Sequence, residues 1–395
     1  MAFRILSLDG GGAWALVETQ ALIALYGEQT KGHKVLADFD LVAANSGGSL
    51  VLGGLMEDLT LAEIRDYFLD EFKRRRVFSP TKSLFLRLLR RLFGLGPLYS
   101  AEDKLAALRM LLPRYGDRTM DGIAQGIARQ GRADTHLLIV GFNYDRNRAV
   151  FFRSAPAGNG PVWGKGAPAT ATMAEAIHAS SNAPVNYFDK PARFASSDER
   201  FWDGGITGCN NPVLAAVTEA VVLGQRLDDL AVLSLGTGSV NLPLAEPGFG
   251  ASMYEAPRLK AGLLNDLKKL ATAILDDPPD AATFIAHVMT GGNSGVRAPA
   301  MSRIVRASPL IAPTKDIGGN WTAPGGMTGE DFKFLCDISM DAVDPAQIRA
   351  INNYVELWLA GKAPNQLIRA ASSTSSPVIG YPTFSAAIEA WKSIR

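Results

Sequence analysis

Short apolar runs that end at glycines alternate with segments of helical spacing through the first part of the chain. Phe3–Leu8 predicts a short buried strand, and three glycines follow it closely. Residues 14–26 then place apolar side chains at helical spacing. The pattern recurs, because Leu41–Ala44 predicts a second buried strand and residues 50–56 predict a helical segment. Strand, glycine turn and helix in alternation favour an α/β sheet with helices on both faces.

The later part of the chain shows the same kinds of segment with less regularity. Two further apolar runs predict buried strands, at 136–142 and 231–235. Two segments near the end have helical spacing, at 352–359 and 385–394. Stretches rich in glycine and proline predict a loop at 154–170 and a long surface connection at 308–329.

Composition restricts the class of protein. The chain has 395 residues, of which 47% are hydrophobic and 20% charged, so a large folded core is expected. The formal net charge of +1 gives no reason to expect nucleic-acid binding. Cys209 and Cys336 are too few and too far apart for a disulfide framework or a metal site, and we expect neither a metal nor a cofactor. No signal peptide and no transmembrane run are evident, which favours a cytoplasmic protein.

One segment, residues 73–96, differs from the rest in its charge. Eight basic residues occur there without an acid, and between them lies the apolar sequence SLFLRLLRRLFG. Apolar side chains could enter the acyl boundary of a bilayer while arginines meet lipid phosphates. We therefore predict peripheral membrane contact through 73–96. A core helix with a solvated basic edge is the alternative.

Three glycines form the first candidate for chemistry. Gly10, Gly11 and Gly12 follow a strand and precede a helix, so their N–H groups could bind the oxyanion of a tetrahedral intermediate. The spacing is neither that of a dinucleotide-binding turn nor that of a P-loop. A purely structural tight turn remains open.

The second candidate is a serine at the junction of a strand and a helix. The segment LVAANSGG places Ser46 at the bend, with small residues two positions to either side. This is close to the G-x-S-x-G nucleophile elbow, with Ala44 in place of the first glycine and Gly48 kept. A tight loop that happens to contain a serine is the alternative.

The third candidate is the base that such a serine needs. Asp203 follows an apolar pair and precedes two glycines. His287 lies in an apolar helical pattern, and His178 precedes Asp203, which is the wrong order for an α/β-hydrolase triad. The residues therefore favour a two-residue mechanism, in which Asp203 contacts the serine hydroxyl directly.

In this order the three segments resemble the motifs of the patatin-like phospholipase family, which includes bacterial lipid acyl hydrolases. That family has a DGGG loop, a G-x-S-x-G elbow and a D-G-G/A motif, here at 9–12, 44–48 and 203–205. The segments AIHASSNAPVNYF, NNP and LGTG are also similar to the family's. The resemblance covers roughly residues 3–240.

The resemblance implies a three-layer α/β sandwich with a mostly parallel central sheet, related to cytosolic phospholipase A2. It also implies a Ser46–Asp203 dyad and an oxyanion hole at Gly10, Gly11 and Gly12, with a phospholipid or lysophospholipid as substrate and no metal. We expect a catalytic core at 1–240 and a mostly helical extension at 241–395 packed on it. The sequence leaves the oligomeric state open.

The chain departs from the family pattern at two places. The family usually has an Arg or Lys soon after DGGG, where this chain has Ala13-Trp14-Ala15, and the second departure is Ala44. Two alternatives follow from these departures and from the chemistry. The acyl-Ser46 intermediate could pass to an alcohol, which would make the protein an acyltransferase. The protein could also be a regulated effector or binding module with little basal activity, switched on by a small molecule such as a cyclic nucleotide.

Overall fold

The computed structural model describes residues 2–80, 98–127, 135–154, 171–185, 187–194, 196–248, 250–292, 302–369 and 378–394. Its strands are β1 (Phe3–Leu8), β2 (Leu41–Ala44), β3 (His136–Asn143), β4 (Arg148–Arg153), β5 (Ala192–Phe194), β6 (Ser197–Asp203), β7 (Leu230–Leu235), β8 (Ser239–Val240), β9 (Ile304–Ala307), β10 (Leu310–Ile311), β11 (Thr314–Lys315) and β12 (Trp321–Thr322).

The helices of the described residues are α1 (Leu16–Tyr26), α2 (Gly32–Leu36), α3 (Ser46–Met56), α4 (Leu61–Leu69), α5 (Glu71–Val77), α6 (Ala101–Leu111), α7 (Met120–Ile127), α8 (Met173–Ser180), α9 (Val213–Val222), α10 (Leu263–Met289), α11 (Gly329–Cys336), α12 (Pro345–Leu359) and α13 (Phe384–Ser393). Among them, none combines the length and the apolar character needed to cross a membrane.

A mixed sheet of eight strands forms the centre of the described fold. Its order is β5-β6-β3-β2-β1-β7-β9, and β4 also pairs with β3. The strands β3, β2, β1, β7 and β9 run parallel to one another. The antiparallel pairs lie towards the β5 edge, where β6 pairs with β3 and with β5. This is the mostly parallel α/β sheet that the sequence predicts.

The central strands are buried on both faces, and alternate residues enter different cores. In β1, Leu6 and Leu8 pack into one hydrophobic cluster with residues of α1, α3, α8 and α12, whereas Ile5 packs into another with residues of α9 and α10. The same alternation places Val42 in the first cluster and Leu41 in the second. Helices therefore cover both faces of the sheet, and the architecture has three layers.

The part of the chain beyond residue 240 contributes directly to this sheet. Strand β9 pairs with β7 in parallel, with Val232 opposite Ile304. Helix α12 packs against α1, and the Tyr354 hydroxyl donates a hydrogen bond of 2.6 Å to the carbonyl of Leu310. The central strands and the C-terminal residues thus share one hydrophobic core.

Most of the predicted elements lie where the pattern places them. Strands β1 and β2 have the expected bounds, whereas α3 begins at Ser46 instead of residue 50. The predicted surface connection at 308–329 is not structureless, since it contains β10 and the antiparallel pair β11–β12. All but the first residue of the predicted loop at 154–170, and residues 81–96 of the basic segment 73–96, lie outside the described residues.

We expect residues 1–240 alone to fail to fold stably. Removal of residues 241–395 would leave β7 as an unpaired sheet edge and would expose the apolar face of α1 that α12 covers. Thermal unfolding followed by circular dichroism would show a weak or absent cooperative transition, beside the full chain as the control. A cooperative transition near the midpoint of the full chain would show that 1–240 is an autonomous domain.

Candidate active site

Ser46 occupies a strained bend between β2 and α3. Its φ of 44° lies in the left-handed region, whereas the preceding Asn45 is extended. A non-glycine residue held there typically costs about 1–3 kcal/mol, and such strain is common at functional sites. The methyl group of Ala44 is fully buried in the core, so the fold accommodates alanine in place of the motif's first glycine.

Asp203 lies directly beside the serine hydroxyl. The Oγ of Ser46 donates a hydrogen bond of 2.7 Å to Asp203 Oδ2, and both residues are buried. The other carboxylate oxygen, Oδ1, accepts from the Gly205 N–H at 2.8 Å, which fixes the carboxylate. Burial raises the pKa of Asp203 above its usual range, and the hydrogen bonds from Gly205 and Ser46 oppose that rise. The structure therefore brings the predicted nucleophile and base into contact.

The glycine loop lies next to the same bend, but its residues face different neighbours. The Gly10 N–H donates to the carbonyl of Asn210 at 2.7 Å, so Gly10 anchors the loop. Gly12 has a φ of 58° and borders the cavity above Ser46. A Cβ at Gly12 would lie 2.2 Å from the carbonyl oxygen of Met340, so a larger residue does not fit there.

A polar network that the sequence did not reveal joins the three motifs. The side-chain amide of Asn45 donates to Asp203 Oδ1 at 3.5 Å and to Asn210 Oδ1 at 3.3 Å. Ser180, at the end of α8, donates to Asn45 Oδ1 at 3.3 Å and accepts the Ser46 N–H at 2.9 Å. The Asn210 side chain also donates to the Gly10 carbonyl at 3.4 Å. Asn45 directly precedes the predicted nucleophile, Ser46, and this position is the signal that could have identified it.

Arg306, from β9, forms a buried ion pair with the aspartate that opens the glycine loop. The guanidinium lies 2.6 Å from Asp9 Oδ2, and both side chains are 5% exposed. Arg306 also donates to Ser234 Oγ and Gln366 Oε1, while the Asp9 N–H donates to Glu18. Burial raises the pKa of Asp9 to about 6, and Arg306 limits that rise. A cation therefore lies beneath the loop even though residues 13–15 carry none.

Lys104, on α6, is a second cation that sequence analysis missed. It is fully buried and lines the cavity that contains Ser46 and Asp203. In the sequence it is one of several charged residues in the same short segment, so no motif or pattern distinguished it. The apolar part of the cavity lining comes from separate segments of the chain, namely Leu50, Val77, Phe78, Tyr187, Phe188 and Met340.

Among the hydrogen bonds of the described residues, none joins Ser46 to either histidine considered as a base. His178 is buried on α8, and in the described residues its Nδ1 has no hydrogen-bond partner. Burial lowers the pKa of His178 well below its usual range, with further contributions from Lys104 and Arg109. His287 is on α10, where its Nδ1 lies 2.7 Å from Ser302 Oγ. Within the described parts of the chain, no group of three or more His, Cys, Asp or Glu side chains could hold a metal ion.

Comparison with known proteins agrees with this fold and this set of motifs. Residues 6–217, more than half of the chain, match the model of the patatin-like phospholipase family. The chain belongs to that family.

Two curated relatives are named for phospholipase activity. An intracellular phospholipase A2 of Caenorhabditis elegans is 27% identical over 247 residues, which are 60% of this chain and 20% of that protein. A cGAMP-activated phospholipase of Pseudomonas aeruginosa is 27% identical over 241 residues, which are 60% of this chain and 63% of that protein. The chain thus spans less than two thirds of the length of either relative.

Solved structures with similarity to the chain include VipD from Legionella pneumophila and human GIVD cytosolic phospholipase A2. VipD is 11% identical, with a TM-score of 0.36, over 89% of this chain and 67% of that one. The human protein is 20% identical, with a TM-score of 0.25, over 39% of this chain and 22% of that one.

The elbow has no room for a side chain at Gly48. A Cβ there would lie 2.6 Å from the Asp9 carbonyl oxygen and 2.7 Å from that of Leu8, and both are backbone atoms that cannot move aside. We expect Gly48→Ala to lower the free energy of unfolding by about 1–3 kcal/mol, as overpacking typically does. Urea unfolding would measure it. Gly250→Ala is the control, since nothing lies within 4 Å of that site, and an equal effect in both variants would contradict the steric argument.

Breaking the ion pair between Arg306 and Asp9 is expected to lower the free energy of unfolding. Arg306→Met leaves a buried carboxylate without its cation, a change that typically costs about 3–5 kcal/mol. Adding Asp9→Asn should restore part of the lost free energy of unfolding, because the buried carboxylate of Asp9 is then removed as well. The free energy of unfolding from urea titration would measure both. Arg226→Met is the control, since Arg226 is 77% exposed. A double variant no more stable than Arg306→Met would argue against the pair.

Proposed function

We propose that this protein is a serine lipid acyl hydrolase of the phospholipase A or lysophospholipase type. The hydrogen bond of 2.7 Å from Ser46 Oγ to Asp203 Oδ2 carries the proposal, because it is the direct contact that a two-residue mechanism requires. Family membership and the names of the curated relatives support a lipid ester as the substrate. The side chains that line the cavity are mostly apolar, as expected beside a lipid ester.

In the proposed reaction, Ser46 Oγ attacks the ester carbonyl and transfers its proton to Asp203. The tetrahedral intermediate then collapses to an acyl-Ser46 ester, and Asp203 returns the proton to the leaving alcohol. A water molecule gives up a proton to Asp203 and attacks the acyl ester; Asp203 then returns that proton to Ser46 Oγ as the fatty acid leaves, which restores the free enzyme. The strained bend places Ser46 on the cavity at the start of α3, where the helix dipole favours developing negative charge.

The oxyanion would be held by backbone N–H groups next to the serine. Gly12 and Gly47 both border the cavity, whereas the Gly10 N–H is engaged by Asn210 and the Ser46 N–H by Ser180. We therefore assign the donors to Gly12, from the predicted loop, and Gly47, the residue after the nucleophile. In this proposal Gly10 and Gly11 hold the loop in place. The Gly11 Cα packs against Thr237, whose hydroxyl donates to the Gly10 carbonyl at 2.8 Å.

A second candidate is the same chemistry under the control of a small molecule. One curated relative is named as a cGAMP-activated phospholipase, and this name supports a cyclic nucleotide as the activator. Acyl transfer to an alcohol uses the same acyl-Ser46 intermediate and differs only in the acceptor. Membrane contact through 73–96, a cytoplasmic location and a division near residue 240 into a catalytic core and an extension packed on it stay predictions.

We expect Ser46→Ala and Asp203→Asn each to reduce hydrolysis about a thousandfold or more, because each removes one half of the catalytic pair. The measurement is fatty-acid release from phosphatidylglycerol vesicles and hydrolysis of a short-chain nitrophenyl ester, with and without cGAMP. The wild-type rate should rise with pH through an acid limb above the usual aspartate range, since burial raises the pKa of Asp203 and the reaction needs its ionised form.

His178→Ala is the matched control for this experiment. In a dyad it should retain most of the activity. A loss as deep as that of Ser46→Ala, in a protein whose circular dichroism is unchanged, would favour a triad instead. Wild-type protein that releases no fatty acid, even with cGAMP present, would contradict the proposed function.

A further inference from the structure

The backbone of Ser46 is held on both sides of its strained bend by serine hydroxyls. The Ser46 N–H donates a hydrogen bond of 2.9 Å to Ser180 Oγ, and the Ser46 carbonyl accepts one of 2.5 Å from Ser49 Oγ. All three residues are buried. A left-handed φ at a non-glycine residue persists only where the surrounding structure enforces it. These two hydrogen bonds therefore help to keep Ser46 in the bend.

The hydroxyl of Ser180 is in turn held by Asn45. It donates to Asn45 Oδ1 at 3.3 Å, and Asn45 Nδ2 donates to Asp203 Oδ1 at 3.5 Å. An ionised carboxylate can only accept, so Asp203 sets the direction of each donor in this series. The bond from Ser46 Oγ to Asp203 Oδ2 completes it. The four residues thus form a closed ring of hydrogen bonds that begins and ends at Ser46.

The side chain of Asn45 also fills the space between the glycine loop and the turn after the base. A Cβ at Gly10 would lie 2.6 Å from Asn45 Nδ2, and a Cβ at Gly204 would lie 2.3 Å from Asn45 Oδ1. Asn45 and Ser180 are both fully buried, and neither is among the described residues that line the cavity. Both residues therefore contact the catalytic motifs from behind, away from the position of a substrate.

Resting on the Ser46–Asp203 chemistry proposed above, we propose that Asn45 and Ser180 are positioning residues whose hydrogen bonds hold the Ser46 hydroxyl against the Asp203 carboxylate. The proton passes directly between these two groups, so the rate depends on their separation. A misplacement of about 1 Å can reduce a rate about a hundredfold. Without the ring, the bend could relax towards an unstrained φ, and Ser46 Oγ would move away from its base.

The test compares Ser180→Ala and Asn45→Ala with the wild type on a soluble short-chain nitrophenyl ester. We expect kcat to fall about tenfold to a hundredfold in each variant, because the reacting groups are misplaced. KM should change little, since neither side chain borders the cavity. Ser180→Ala removes a single oxygen atom, so it provides the test even where Asn45→Ala fails to fold.

Ser154→Ala is the matched control. Ser154 is also buried, and its hydroxyl accepts a backbone N–H, that of Leu137, at 2.7 Å. This bond lies near the start of β3, whereas the site lies at the ends of β2 and β6. The control should lose stability but keep its kcat. Equal falls in kcat for Ser154→Ala and Ser180→Ala would overturn the inference, as would a wild-type kcat in Ser180→Ala.

The double variant tests whether the two residues act through the same ring. Asn45→Ala combined with Ser180→Ala should lower kcat little more than the more damaging single change, because residues that act as a unit are strongly non-additive. Losses that multiply would show that Asn45 and Ser180 act separately, which would overturn their shared role.

A second measurement separates this inference from the proposed function, because it needs no turnover. A dialkyl fluorophosphate reacts once with an activated serine: Ser46 Oγ would form a bond to phosphorus, fluoride would leave, and Asp203 would take the hydroxyl proton. Mass spectrometry measures the rate of this labelling. We expect labelling to slow in both variants by about as much as kcat falls.

The outcomes of the labelling experiment are distinct. Labelling at the wild-type rate in both variants would overturn the positioning role whether or not the protein hydrolyses esters. A wild-type protein that is labelled at Ser46 but inactive on every ester would contradict the proposed function alone, and slower labelling of the variants would still support the inference. A wild-type protein that is not labelled would overturn both.

Discussion

The direct contact between Ser46 and Asp203 is the constraint on which the rest of the site depends. With no histidine between them, the hydroxyl and the carboxylate must lie within hydrogen-bonding distance, and they come from segments 157 residues apart. The parallel pairing of β2 with β3 and the antiparallel pairing of β3 with β6 bring the ends of β2 and β6 together. The strained φ of Ser46 then turns its side chain towards Asp203. Sheet topology and one unfavourable backbone conformation therefore jointly produce the contact.

Much of this arrangement could be predicted from local sequence, for a physical reason. Strands that are buried on both faces have short, continuous apolar sequences, so β1 and β2 could be predicted with their correct bounds. Glycine marks positions where backbones approach closely, and both Gly12 and Gly48 prove to have no room for a Cβ. The chemistry of a nucleophile and its base likewise depends on residue types that motifs preserve.

The interactions that sequence did not reveal are of long range. Arg306 meets Asp9 across 297 residues, and nothing in the segment IVRA distinguishes a buried, paired arginine from one that ends a strand at the surface. Lys104 presents the same difficulty, since its helix carries other charges that are exposed. The short strands within the predicted surface connection at 308–329 were missed for a related reason, because two-residue strands such as β10 are defined by their partners and leave no periodic pattern.

The pair formed by Arg306 and Asp9 changes how the departure at residues 13–15 is understood. The basic residue that the family usually has after DGGG and Arg306 on β9 of this chain both place a cation near the glycine loop. Arg306, however, lies outside the residues that match the family model. Met340, also outside them, accepts the Ala13 N–H at 2.8 Å and borders the cavity. The geometry of the loop therefore depends on the C-terminal residues. A displacement of β9 or of the segment around Met340 would therefore reach the glycine loop directly, through one ion pair and one hydrogen bond.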